Sequence, residues 1–148
     1  MKYDSANDTL DHIKRVADLI HRLCTSLVIR GSQHDISKLH PPEKDVFDRY
    51  TPLLKDTTYG SKEYKAYLDG MQSALKNHYA TNSHHPEHYE NGIDDMDLLD
   101  LVEMFCDWKA ASERHGNGDI IRSIELNKER FGMSDQLAKI LENTIKSI

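Results

Sequence analysis

The sequence predicts an all-α fold, a single helical bundle of about six to seven helices, on three observations. Apolar residues recur at three- and four-residue steps in segment after segment, the spacing that lines one face of a 3.6-residue helix. No stretch shows the apolar–polar alternation of a half-buried strand. Ser, Asp, Gly and Pro fall between those segments, where helices start and stop.

Asp8 or Thr9 is placed to cap the first helix and Gly31 to end it. Between them Ile13, Val16, Ala17, Ile20, Leu23, Leu27 and Val28 form a core stripe, with His12 one position off its edge. Gly31-Ser32-Gln33 reads as a short break, and residues 34–39 as a helical turn stopped by Pro41-Pro42. Pro42 is suited to open a helix that runs to about Tyr50, before Thr51-Pro52 interrupts it. Residues 56–60 read as a loop. Ser61 starts a helix carrying Tyr64, Tyr67, Leu68, Met71, Ala74 and Leu75, which continues to about His78 or Tyr79. Residues 82–94 are polar and aperiodic, with Pro86 and Gly92. A loop of about 12 residues is long enough to favour a functional role. Asp94-Asp95 caps the next helix, which shows Leu98, Leu101, Val102, Phe105 and Trp108 on one face and ends near Gly116. Two more helices span about 119–130 and 134 to the C-terminus.

At 148 residues the chain is the size of one domain with one hydrophobic core, so a single domain over 1–148 is expected. Its apolar runs are too short to cross a bilayer. Met1-Lys2-Tyr3-Asp4-Ser5 lacks the apolar run of a signal peptide, which points to the cytoplasm. Cys24 and Cys106 read as buried free thiols in a reducing compartment. A net charge of −6 speaks against an extended nucleic-acid surface, while leaving room for a small basic pocket around one phosphate.

Histidine is the outlier: of nine, four fall between His78 and His88. His12, His34-Asp35 and Asp107 come from three helical segments, each near a helix end or off its apolar stripe. At ~100° per residue Asp107 stands ~200° around its helix from Phe105, with Asp100, Met104, Ala111 and Arg114 on its side. Neutral imidazole nitrogen combined with carboxylate oxygen is a donor set that suits a divalent cation. Lys38, one turn after the His-Asp pair, is the first candidate for holding a phosphate, with Lys109 and Arg114 behind it. Glu87 and Glu43 are candidates for a general acid or base, or for holding a ligand histidine. His21, His40, His88 and His115 read as ordinary surface.

The order His12, His34-Asp35, His78, His84-His85, Asp107 resembles the HD-domain superfamily of metal-dependent phosphohydrolases, an all-α fold with an H…HD…D metal site. The histidines between HD and the last aspartate are similar to those of its two-metal members. The run from His34 to Lys38 also resembles the HD-x-x-K stretch of cyclic-dinucleotide phosphodiesterases, in which the lysine contacts phosphate. The closer spacing of His78 and His84, and the lack of a Gly-Tyr-Pro tripeptide, speak against a cyclic dinucleotide here. A further resemblance, over roughly residues 12–112, is to a small family of bacteria and tailed phages with no assigned reaction. Its elements match His34-Asp35-Ser37-Lys38, Pro42-Glu43, His78-Asn82-His84-His85-Pro86-Glu87 and Asp107-Trp108.

These resemblances imply one or two divalent ions (Mn, Mg, Fe, Zn, Co or Ni) and a nucleotide or other small phosphoester as substrate. His12, His34, Asp35 and Asp107 would hold one ion, and His78 with His84 or His85 the other, Asp35 bridging. Lys38 would hold the phosphate, and a histidine or Glu87 would protonate the leaving oxygen. Two alternatives stay open: an HD-type di-iron oxygenase with a similar ligand set, and a non-catalytic module that binds metal or nucleotide.

Overall fold

Seven α-helices and no strand occur among the residues that the computed structural model describes, which are 3–55, 57, 61–114 and 118–148. The expected all-α class is therefore what the chain adopts. The chain divides into two compact units, Met1–Gln33 and His34–Ile148. No helix is long and apolar enough to cross a membrane among the described residues.

The first unit is one helix, α1 (Ala6–Gln33). It begins before the expected Asp8 cap, because the Asp4 carboxylate already takes the Ala6 N–H at 3.0 Å. Gly31 does not end it. A glycine stops a helix by turning left-handed, and Gly31 keeps a negative φ, so the helix runs on to Gln33. The stripe expected to be core is uncovered: no residue of α1 is buried, and Ile13 and Ile20 are each 55% exposed. Periodicity identifies an apolar face but not what covers it.

In the second unit Asp35 adopts a left-handed conformation, φ 57°, and opens a 3-10 turn at Ile36–Leu39. Next comes α2 (Lys44–Lys55), which passes through Pro52 instead of stopping at Tyr50. The acceptor left without an N–H there belongs to Asp48, on an exposed face where water can serve it. The single helix expected from Ser61 to about His78 is two, α3 (Lys62–Gly70) and α4 (Gln72–Thr81), with Met71 between them. Packing against α2 explains the break. A side chain at Gly70 would collide with the Tyr50 ring, and Met71 turns inward until it is 1% exposed.

The 82–97 segment contains two 3-10 turns, Pro86–His88 and Gly92–Asp95. The helix after it, α5 (Leu98–Ser112), is capped by Asp97 and not by Asp94-Asp95. Asp97 accepts from the Leu99 and Asp100 N–H groups, and Asp100 reciprocates to the Asp97 N–H. As expected, Asp119 caps α6 (Ile120–Phe131) and Ser134 caps α7 (Asp135–Thr144); Gly132, φ 63°, closes α6. The expected stop at Gly116, His115, and the expected 56–60 loop apart from Thr57 lie outside the described residues.

Phe105, Ile124, Met133, Ala138 and Leu141 form the apolar core with Ile93, where α5, α6 and α7 meet. Trp108 and Phe131 stack at its margin, their ring centroids 6.2 Å apart. Leu98, expected on the core face, is 64% exposed, and both cysteines are exposed free thiols instead of buried ones. Cys106 follows Phe105 by one residue, about 100° around the helix, which turns it off the core. The opposite side of α5 is also covered: Asp100 and Met104 are buried, and Glu103 and Asp107 are partly so.

Ile124 makes no contact with solvent, so Ile124→Ala should lower unfolding free energy by about 2–5 kcal/mol. Leu98→Ala should change it by less than about 0.5 kcal/mol. Urea unfolding followed by circular dichroism separates the two.

Candidate metal centre

A polar interior lies against the second covered side of α5. His34 and Asp35 enter it at the start of the second unit, His78 from the last turn of α4, His84 and His85 from the following loop, and Asp107 from α5. One ligand-type atom from each of Asp35, His78, His84 and His85 lies within 4.8 Å of the others, and the same holds for His34, His84 and Asp107. Asp35 is central. Its Oδ1 is 3.2 Å from His78 Nε2 and 3.5 Å from His84 Nε2, and its Oδ2 is 3.6 Å from His34 Nε2. Asp107 Oδ1 is 3.5 Å from His34 Nε2.

The inward direction of His78 is fixed from behind. Glu43, wholly buried, accepts from His78 Nδ1 at 2.9 Å and from Ser37 Oγ at 3.0 Å through Oε2, and from Asn77 Nδ2 at 2.8 Å through Oε1. An ionised carboxylate only accepts. The His78 Nδ1 side of the ring thus faces Glu43, and its Nε2 faces Asp35 Oδ1. His85 Nε2 lies 2.8 Å from that same nitrogen. Two buried atoms of this cluster, Asp35 Oδ1 and His84 Nε2, have no hydrogen-bond partner among the described residues. Lone pairs converging without donors constitute an unfavourable arrangement that a cation relieves. The residues present thus fit a divalent ion.

Charge balance follows the same geometry. The Asp107 bond raises His34 to about 9, against the opposing effect of burial and with help from Glu103. Burial opposes ionisation of Asp35, but the adjacent His78 ring and the Lys38 ammonium outweigh it and hold the carboxyl well below its ordinary range. Asp107 is likewise lowered, as its His34 bond overcomes burial. Burial keeps His84 neutral and, with His84 and His78 beside it, pushes His85 down to about 3.

Lys38 reaches Asp35 Oδ2 at 2.5 Å, its ammonium 5.0 Å from the centroid of the Phe47 ring. Other expected site residues fall elsewhere. His12 is exposed on α1 in the other unit and belongs to neither ligand group. Glu87 is turned to Arg130, at 2.6 Å, and does not join the cluster. Lys109 pairs with Glu113 one turn on, and Arg114 is exposed just past α5. His21 and His40 are exposed, as is His88, whose Nδ1 bonds the Tyr79 carbonyl at 2.8 Å.

Three acidic residues at the back of the site went unassigned in the sequence or only loosely assigned: Glu43, Glu103 and Asp100. Glu103 Oε1 lies 3.0 Å from His34 Nδ1 and 3.1 Å from His84 Nδ1. Asp100 accepts from Ser83 Oγ at 2.7 Å and Tyr89 Oη at 2.6 Å, tying the histidine loop to α5. The available signal was the three- and four-residue spacing of 100, 103, 104 and 107, a second stripe on α5.

The sequence model of one protein family, described as a family of unknown function, matches residues 1–147. The chain belongs to the DUF5662 family. That match takes in both compact units and every residue of the cluster. No curated protein and no solved structure matches the chain.

The titrations have a direct consequence for the metal-free chain. His85, lowered to about 3, contributes stability that is present above about 6.5 and lost as pH falls toward 3. His34, raised to about 9, contributes stability that is present below about 6.5 and lost as pH rises through 9. Chelated protein should therefore melt highest near pH 6.5, with Tm falling by roughly 5 °C toward pH 9. His34→Gln should flatten the alkaline limb in a thermal-melt series.

Proposed function

We propose that this chain is a cytoplasmic metal-dependent phosphohydrolase acting on a nucleotide or another small phosphoester. One or two divalent cations (Mn, Mg, Fe, Zn, Co or Ni) would be held by Asp35, His78, His84 and His85 and by His34 and Asp107. The observation that carries the reading is the pair of buried, partnerless atoms, Asp35 Oδ1 and His84 Nε2, 3.5 Å apart in a cage of oriented imidazoles. The order of those residues, which resembles the HD-domain arrangement, supports it. The same resemblance adds His12, in the first unit, to the ligands of the ion held by His34 and Asp107.

A divalent cation in this cage supplies charge neutralisation at a phosphoryl oxygen and acidifies water toward neutrality. The chain's own residues provide the rest. Asp35 and Asp107 contribute negative charge that is already ionised at neutral pH. The ammonium of Lys38, one third exposed, stands between the cage and solvent, where it can turn from Asp35 to an incoming phosphate oxygen. Glu87, held by Arg130, is not assigned the proton-donor role.

Metal analysis of purified protein tests the cage, together with a screen of nucleotides and phosphoesters in Mn²⁺, Mg²⁺ and Fe²⁺. Asp35→Asn and His78→Ala should each weaken cation binding by about 10–100-fold; asparagine tolerates the left-handed backbone at 35. Lys38→Ala should retain the metal and lose about 100-fold in kcat/KM. Full metal content in both cage variants would remove the metal reading. A two-iron protein that consumes oxygen with its substrate would remove the hydrolase.

A further inference from the structure

Glu103 stands apart from the other acids of the site. Its side chain is 11% exposed, on the covered face of α5 with Asp100, Met104 and Asp107. A single oxygen, Oε1, lies 3.0 Å from His34 Nδ1 and 3.1 Å from His84 Nδ1. The two rings, with centroids 4.4 Å apart and planes inclined by 42°, fan out from that oxygen. One ring comes from the start of the second unit and the other from the loop after α4. One oxygen of this carboxylate faces the Nδ1 of both rings.

Resting on the metal-centre reading above, we infer that Glu103 is a positioning residue that sets two imidazole ligands at once. A carboxylate oxygen has lone pairs and no proton, so each N–H that it accepts must sit on Nδ1. In the neutral rings that a bound cation requires, both Nε2 atoms are thereby left as lone pairs: His34 Nε2 on the side of Asp107 and Asp35, and His84 Nε2 with no hydrogen-bond partner among the described residues. Glu43 performs this service for His78 alone. The carboxylate also increases the basicity of both rings, which strengthens them as ligands. Removing Glu103 consequently frees two ligands to rotate and to exchange tautomers, while removing Glu43 frees one.

The test uses the full chain with ¹⁵N-labelled histidine, loaded with Zn²⁺, and long-range proton–nitrogen spectra to read the tautomers. In the wild type His34 and His84 should carry their proton on Nδ1. Co²⁺ titration should show Glu103→Ala binding about 10–100-fold more weakly. Glu103→Gln, whose amide oxygen still accepts both N–H groups, should keep the tautomers and lose less. In a His84→Ala background, Glu103→Ala should cost clearly less than in the wild type, because only His34 is left to lose its anchor. A proton on Nε2 of either wild-type ring overturns the inference, and so does Glu103→Ala with unchanged affinity. If Glu103→Ala does not fold, the wild-type spectrum and Glu103→Gln decide. Failure of the wild type to take up Zn²⁺ or Co²⁺ would remove the metal reading itself, and this inference with it.

Discussion

A buried imidazole has two nitrogens to satisfy, and this interior satisfies them unequally. Each Nδ1 of His34, His78 and His84 meets a carboxylate, while the Nε2 atoms point into a shared space among aspartate oxygens. Burying a carboxylate costs several kcal/mol unless hydrogen bonds surround it. Glu43 meets that condition with three donors, Ser37, Asn77 and His78, although it is completely enclosed. Ser37 is in turn held by Asn82 at 2.9 Å. The polar network thus runs from the 3-10 turn after Asp35, through Glu43 just before α2 and through α4, to the loop that bears His84 and His85. Fold and site depend on the same bonds.

Helix α5 joins that network to the apolar core. Phe105, with Leu101 and Trp108 beside it, faces α6 and α7. Asp100, Glu103, Met104 and Asp107 are covered on the other side. One 15-residue helix can do both because three- and four-residue steps draw a separate stripe on each side of a cylinder. The Asp100 carboxylate then fastens the ligand-bearing loop through Ser83 and Tyr89, and that bond helps burial push the Tyr89 hydroxyl up to about 12. Core packing thereby reaches the ligands through a rigid element and one clasp.

Much of this was legible in the residues. Apolar periodicity located the helices, and Ser61, Asp119 and Ser134 cap where their side chains indicate. His34, Asp35, His78, His84, His85 and Asp107 stand together because side chains off the apolar stripes had to find polar company. The rest depended on tertiary detail. Gly31 and Pro52 are breakers only where the backbone bends or its acceptor is enclosed, and neither condition holds here. Met71 breaks a helix because Tyr50 crowds Gly70, a contact between residues far apart in sequence. The acids behind the histidines were hidden for a different reason. Read along one helix, Glu103 is an ordinary polar residue between Val102 and Met104, and only the approach of two distant rings makes it an anchor.

His84 belongs to both ligand groups, with Asp35, His78 and His85 on one side and with His34 and Asp107 on the other. An imidazole nitrogen has one lone pair and, unlike a carboxylate, cannot be divided between two cations. The groups are therefore alternatives as far as His84 is concerned. A first ion that takes this ring leaves a poorer set for any second, whose remaining donors would be His34 and Asp107 or Asp35, His78 and His85. If two cations are held as proposed, such a cage would fill stepwise, with unequal affinities. Asp35, with an oxygen toward each side, is the residue through which occupation of one half would be felt by the other.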